Sequence, residues 1–194
     1  VAALIAVLLL GQFLATVEST TPPATATEHC LPDEAAFLSM RLRGSIEADV
    51  VWRAAEFHCG GMLRPDGRGI RLRFSGLLPG SGKLAIVFAA ADLGMGVSAR
   101  GVPVNVTLLD EAGERIYGTQ GDNRCLFDEI EQLALVDSSL PPRSFKVSAR
   151  GFCTAPARAL DGDGAVLLTR FDFTGLVTYV EEDTVLPGTT AAPP

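Results

Sequence analysis

The sequence predicts an all-β fold: an antiparallel sandwich or barrel built from two related disulfide-bridged half-units, with one or two short helices. Three observations carry this. Apolar residues recur at every second position in several segments, Gly, Pro and Asp punctuate the chain between them, and four cysteines fall into two pairs of nearly equal spacing. With 194 residues, 47% of them hydrophobic, the chain can bury one core of ordinary size, which excludes disorder for its bulk.

The organisation expected is a secretion signal and short linker over 1–26, one β-rich domain over 27–180 and a disordered tail over 181–194. From Ala2 to Val17 the chain is apolar apart from Gly11, Gln12 and Thr16, and it then turns to Ser, Thr, Pro and Ala. Cleavage after Ser19 and after Ala26 both remain open. The same run, if uncleaved, reaches the lower limit for an N-terminal anchor, and only then is a membrane a partner. Glu28 and His29 before Cys30 exclude a lipid-attachment cysteine. From Glu181 the stretch EEDTVLPGTTAAPP is too polar to bury.

Between these ends the elements follow in order. PDEAAFLSMRL at 32–42 predicts a short helix with acidic residues in its first turn. Ile70, Leu72 and Phe74 alternate with Arg71, Arg73 and Ser75, a half-buried strand. KLAIVFA at 83–89 is a continuous apolar strand, and Val102, Val104, Val106 and Leu108 make an alternating one. DEAG at 110–113 turns that strand into ERIYGTQ as a hairpin. DEIEQLALV at 128–136 predicts the second helix. Phe145, Val147 and Ala149 alternate with Lys146, Ser148 and Arg150 on the way to Cys153. Leu167, Phe171 and Phe173 are expected on one face, with Arg170, Asp172 and Thr174 on the other.

The half-units emerge from the cysteines. Cys30 opens CLPDEA and Cys125 opens CLFDEI; Cys59 leads through PDGRG to RFSGL, and Cys153 through DGDG to DFTGL. The shared order suggests related units over 30–78 and 125–178. Local bridges, Cys30–Cys59 and Cys125–Cys153, are favoured because short loops close more readily. The symmetric alternative, Cys30–Cys125 with Cys59–Cys153, stays open. If the duplicated strands pair, Arg71 or Arg73 opposes Asp172.

No motif assembles a catalytic site. His29 and His58 each precede a cysteine, and two imidazoles with two thiolates could ligate zinc or copper. An exported chain instead favours oxidised sulfurs, so both histidines are only weak metal candidates and no cofactor is expected. Asp161 and Asp163 lack the remaining ligands of a calcium loop, and PGSGKL around Gly80, Gly82 and Lys83 lacks the first Gly and the Ser or Thr of a phosphate loop. The carboxylate pairs Asp33–Glu34, Asp128–Glu129 and Glu181–Glu182 are neighbours in sequence and need not converge. Trp52 and Tyr179 would stack on a sugar if exposed, but lone aromatics in strands are more often core. Asn105-Val106-Thr107 is a glycosylation sequon.

A net charge of −7 without a basic stripe excludes nucleic acid as a partner, and the arginines at 41, 43, 64, 68, 71 and 73 read as a solvated face. The run CGGMLRPDGRGIRLRFSG at 59–76, with NVTLLDEAGERIYGTQGDNRC at 105–125, resembles exported bacterial proteins of unassigned function. The resemblance spans most of the mature chain, implies no activity and carries over no functional residues. The function expected is therefore a non-catalytic binding or structural domain of the cell envelope, its partner an envelope protein or a glycan. An extracytoplasmic hydrolase using carboxylates, and a metal- or carbohydrate-binding module, are the alternatives.

Overall fold

Alternation of apolar and polar side chains becomes strand after strand in the computed structural model, which describes residues 30–31, 35–121, 123–137 and 139–179. The expectations for the secretion signal, His29, Asp33–Glu34 and the tail from Glu181 lie outside these residues. Eleven strands occur among the described residues. They are β1 (Phe37–Gly44), β2 (Ala48–Arg53), β3 (Phe57–Leu63), β4 (Ile70–Leu78), β5 (Gly82–Ala90), β6 (Ala99–Asp110), β7 (Arg115–Gly118), β8 (Cys125–Ala134), β9 (Ser144–Cys153), β10 (Ala157–Ala159) and β11 (Ala165–Thr178).

All pairings are antiparallel. They run β2-β1-β11-β9-β8-β6-β5-β4-β3, and the short strands β10 and β7 form a second bridge between β11 and β6. The sheet folds back on itself at β8 and β6 to make a sandwich. Its two inner faces meet through phenylalanine rings: Phe74 of β4 lies 4.8 Å from Phe173 of β11, and Phe88 of β5 lies 4.8 Å from Phe171. Phe127 of β8 completes a cluster of five rings, all fully buried. Each such burial stabilises by about 1.5–3 kcal/mol, so this cluster is a large fraction of the driving force.

The open side of the sandwich is spanned by β2, a 3-10 turn over Ala54–Glu56, and β3. Trp52 seals it. Its ring stacks on Phe57, and its Nε1 donates to the Leu77 carbonyl at 3.0 Å, so the indole is buried without leaving its N–H unpaired.

Both disulfides close locally, Cys30–Cys59 and Cys125–Cys153, as spacing favoured. The second joins residues directly opposite each other on β8 and β9. The F-[ST]-G-L segments lie in β4 and β11, but in different registers: Phe74 pairs with Cys59, and Phe173 with Ala149.

Three expectations need correction. Neither helix forms. Residues 37–44 are β1, in which Leu38, Met40 and Leu42 face inward, and 125–134 are β8. In β8 a bulge leaves Asp128 without a partner, since Phe127 pairs with Gly151 and Glu129 with Arg150. Phe127 and Ile130 thereby share the inner face at a spacing of three, which imitates a helix. The second correction is Leu167. A bulge at Thr169 shifts the alternation, so Val166 and Leu168, rather than Leu167, share the inner face with Phe171 and Phe173. Third, Arg71 and Arg73 do not oppose Asp172. β4 pairs only with β3 and β5, whereas Asp172 lies between Ser39 and Arg150.

Candidate functional site

Most of the residues singled out in the sequence are structural. The four cysteines are oxidised and buried, which places the folded chain in an oxidising, extracytoplasmic compartment. His58 is exposed on β3 opposite Ser75, and among the described residues no three His, Cys, Asp or Glu side chains gather as a metal site. Trp52 and Tyr179 are both core, so neither offers a stacking face. Asp161 and Asp163 occupy an exposed turn, where the Asp163 carbonyl accepts from Arg115 at 3.1 Å. PGSGKL is the β4–β5 hairpin turn. Asn105 is half-buried, and its Oδ1 accepts from the Thr119 hydroxyl at 3.0 Å. No helix among the described residues is long and apolar enough to cross a membrane.

Polar and apolar side chains converge at the surface on the outer face of β2-β1-β11-β9-β8. Strand alternation puts it there: with Leu38, Met40 and Leu42 turned inward, Ser39, Arg41 and Arg43 must turn out. Two shallow grooves lie side by side on this face and share Arg170. The first, about 310 Å³, lies over β1, β2 and β11 and is walled by Ser39, Arg41, Asp49, Val51 and Asp172. The second, about 410 Å³, lies over β8, β9 and β11 and is walled by Asp128, Arg150, Phe152 and Thr169. Both bulged residues, Asp128 and Thr169, line this second groove. Bulges twist a strand and re-aim its side chains, so they shape the depression directly.

The electrostatics of the face are uneven. Asp49 accepts from Arg41 at 3.2 Å and from Arg43 at 2.8 Å. Glu129 bonds Arg150 at 2.7 Å and Arg100 at 2.8 Å, and Asp128 stands 3.7 Å from Arg150. Arg170 sits directly across from Arg41, and its side chain has no ion pair or hydrogen bond among the described residues. The Asp172 side chain has none either. Val51 and Phe152 are 57% and 40% exposed, so apolar surface flanks the charges on both sides.

A second polar constellation is buried and structural. Gln132 of β8 receives the Tyr179 hydroxyl at 2.6 Å and donates from Nε2 to the carbonyls of Gly94 and Val97, each at 2.9 Å. Burial pushes the Tyr179 phenol up to about 12. On the 64–69 loop, Asp66 is held below the usual carboxylate range by its hydrogen bonds from Arg64 and the Arg68 backbone.

Sequence reasoning noted Arg41 among solvated arginines and Arg170 as outward-facing, and it did not connect them. They belong to strands far apart in the chain. A local signal was an aromatic two residues from an arginine, Phe152 and Arg150, both of opposite parity to the buried Val147 and Ala149. No family model, curated protein or solved structure matches the chain.

Proposed function

We propose that this chain is a non-catalytic binding domain, exported to the periplasm or the extracellular space, that recognises a component of the cell envelope. One observation carries the reading: the paired grooves around Arg170, where a guanidinium that makes no ion pair among the described residues stands between exposed Val51 and Phe152. An open, shallow face with mixed charge and scattered apolar contacts suits recognition of an extended partner. Of the carboxylates that line the grooves, Asp49 and Asp128 stand against arginines and Asp172 alone is unpaired, so no carboxylate pair faces a common point, which favours recognition over acid–base work. Two disulfides support export, since such bridges form and persist in oxidising compartments.

The halves 30–78 and 125–178 are read as one unit used twice. Support comes from bridges of nearly equal span, 29 and 28 residues, and from the meeting of Phe74 with Phe173. The differing registers of Phe74 and Phe173 do not add to that support.

The test is site-specific photo-crosslinking in intact envelopes. A photoreactive residue replaces Val51 or Phe152 on the proposed face, and Lys83 on a distant hairpin serves as the control. Discrete adducts at the first two positions and none at Lys83 are expected. Adducts of equal yield at all three, or none anywhere, would overturn the reading.

A further inference from the structure

Across the outer face, register aligns Asp49 of β2 with Arg41 of β1, and Arg41 with Arg170 of β11. Gly151 pairs with Phe171, so Phe152 stands next in this row, beside Arg170, and both line the second groove. The row therefore reads carboxylate, guanidinium, guanidinium, aromatic. At about 4.8 Å per strand it spans about 14 Å, the length of a short oligosaccharide.

Two like charges directly opposite each other destabilise a sheet. Asp49 pairs with Arg41, whereas Arg170 makes no ion pair among the described residues, the groove-lining Asp172 included. A carboxylate seated between Arg41 and Arg170 would relieve the repulsion and could be gripped in bidentate fashion. Phe152, 40% exposed, offers a flat apolar platform next to that position, and Asp172 on the same strand offers an acceptor for hydroxyl groups. No deep apolar pocket opens in either groove to anchor a peptide side chain.

Resting on the binding-domain reading above, we propose that the face around Arg170 binds an acidic polysaccharide of the uronate class. The sugar carboxylate lies on Arg41 and Arg170, the adjoining ring stacks on Phe152, and ring hydroxyls donate to Asp172. The overall charge of −7 opposes a polyanion at a distance. Screening confines that repulsion to about 8 Å at physiological ionic strength, so contacts within the row decide binding. Spaced carboxylates, one per sugar, fit this arrangement better than densely sulfated chains.

The experiment is calorimetric titration of the oxidised domain with a defined oligogalacturonate and with the same oligomer fully methyl-esterified. The acid form is expected to bind, and the neutral ester to bind at least about 10-fold more weakly. Arg170→Ala should weaken the acid form by about 10- to 100-fold, the factor for one lost charge-assisted contact. Phe152→Leu should also weaken it, while Lys83→Ala should not. Thermal melts establish that each variant folds, and Arg170→Gln replaces the alanine variant if that one does not. Equal binding of acid and ester, no binding of either, or an Arg170 variant that binds as the parent does would each overturn the proposal. Binding of an oligoglutamate but not the uronate would overturn it too. Crosslinks at Val51 and Phe152 without uronate binding would leave the binding-domain reading standing and remove only the ligand class.

Discussion

The Tyr179 hydroxyl, beyond the end of β11, donates a 2.6 Å hydrogen bond to Oε1 of Gln132 in β8. The same Gln132 ties down the β5–β6 loop through the carbonyls of Gly94 and Val97, and its backbone N–H donates to Ser98 Oγ at 3.2 Å. One buried amide thus joins three parts of the chain. Its donors and acceptors are all used, which is what makes a polar group tolerable at 5% exposure.

Replacing Gln132 by Leu keeps the volume but strands the Tyr179 hydroxyl and two carbonyls. The expected loss is about 2–4 kcal/mol, from a penalty of about 1–3 kcal/mol for each buried group left unpaired, partly relieved by water. Urea denaturation measures the loss. Hydrogen exchange should show protection lost over residues 94–98 first. Unchanged stability with unchanged exchange would mean that the network holds nothing.

High pH should weaken the fold through Tyr179. An unfolded phenol ionises near 10, whereas the folded one is pushed up to about 12. Between these values the unfolded state binds fewer protons, so stability falls as pH rises through this window, and the full contribution is present below pH 10. The loss is about 1–2 kcal/mol after allowance for partial solvent screening. Comparing urea midpoints at pH 9 and pH 11.5 for the parent and for Tyr179→Phe isolates it: the variant should lose less. Equal losses would assign the alkaline instability elsewhere.

Reduction should destabilise the sandwich severely. Bridges that span 29 and 28 residues each remove about 3–4 kcal/mol of loop freedom from the unfolded chain. Against a typical net stability of about 5–15 kcal/mol, losing both leaves little. Non-reducing peptide mapping should recover Cys30 linked to Cys59 and Cys125 linked to Cys153. A reduced protein melting within a few degrees of the oxidised one would show that the bridges are incidental.

Strict alternation was readable wherever one face alone is apolar. Ile70, Leu72 and Phe74 are all buried, as are Val104, Val106 and Leu108, because a period of two has no competing interpretation. β1 was obscured by apolar residues on both parities, with Ala35 and Phe37 beside Ala36 and Leu38. β8 and β11 were misread at their bulges, since an extra residue breaks the period on which the reading depends. The candidate site was the least legible part. It depends on Arg41 and Arg170 becoming cross-strand neighbours, and no local pattern encodes a pairing between the first strand and the last.

Two glycines should respond differently to the same substitution. On β9, a Cβ at Gly151 would overlap the Leu126 carbonyl oxygen and press on the Phe171 ring at 2.6 Å, so β8 and the aromatic core would both have to move. Gly67, in the β3–β4 loop at φ +70°, has nothing within 4 Å of the added atom. Alanine there bears only the left-handed backbone penalty, about 1 kcal/mol. Gly151→Ala should cost about 3 kcal/mol or more, at the upper end of the overpacking range, because backbone rather than a flexible side chain stands in the way. Chemical denaturation of the two variants side by side decides the matter. If both lose the same stability, β9 does not approach β8 and Phe171 as closely as described.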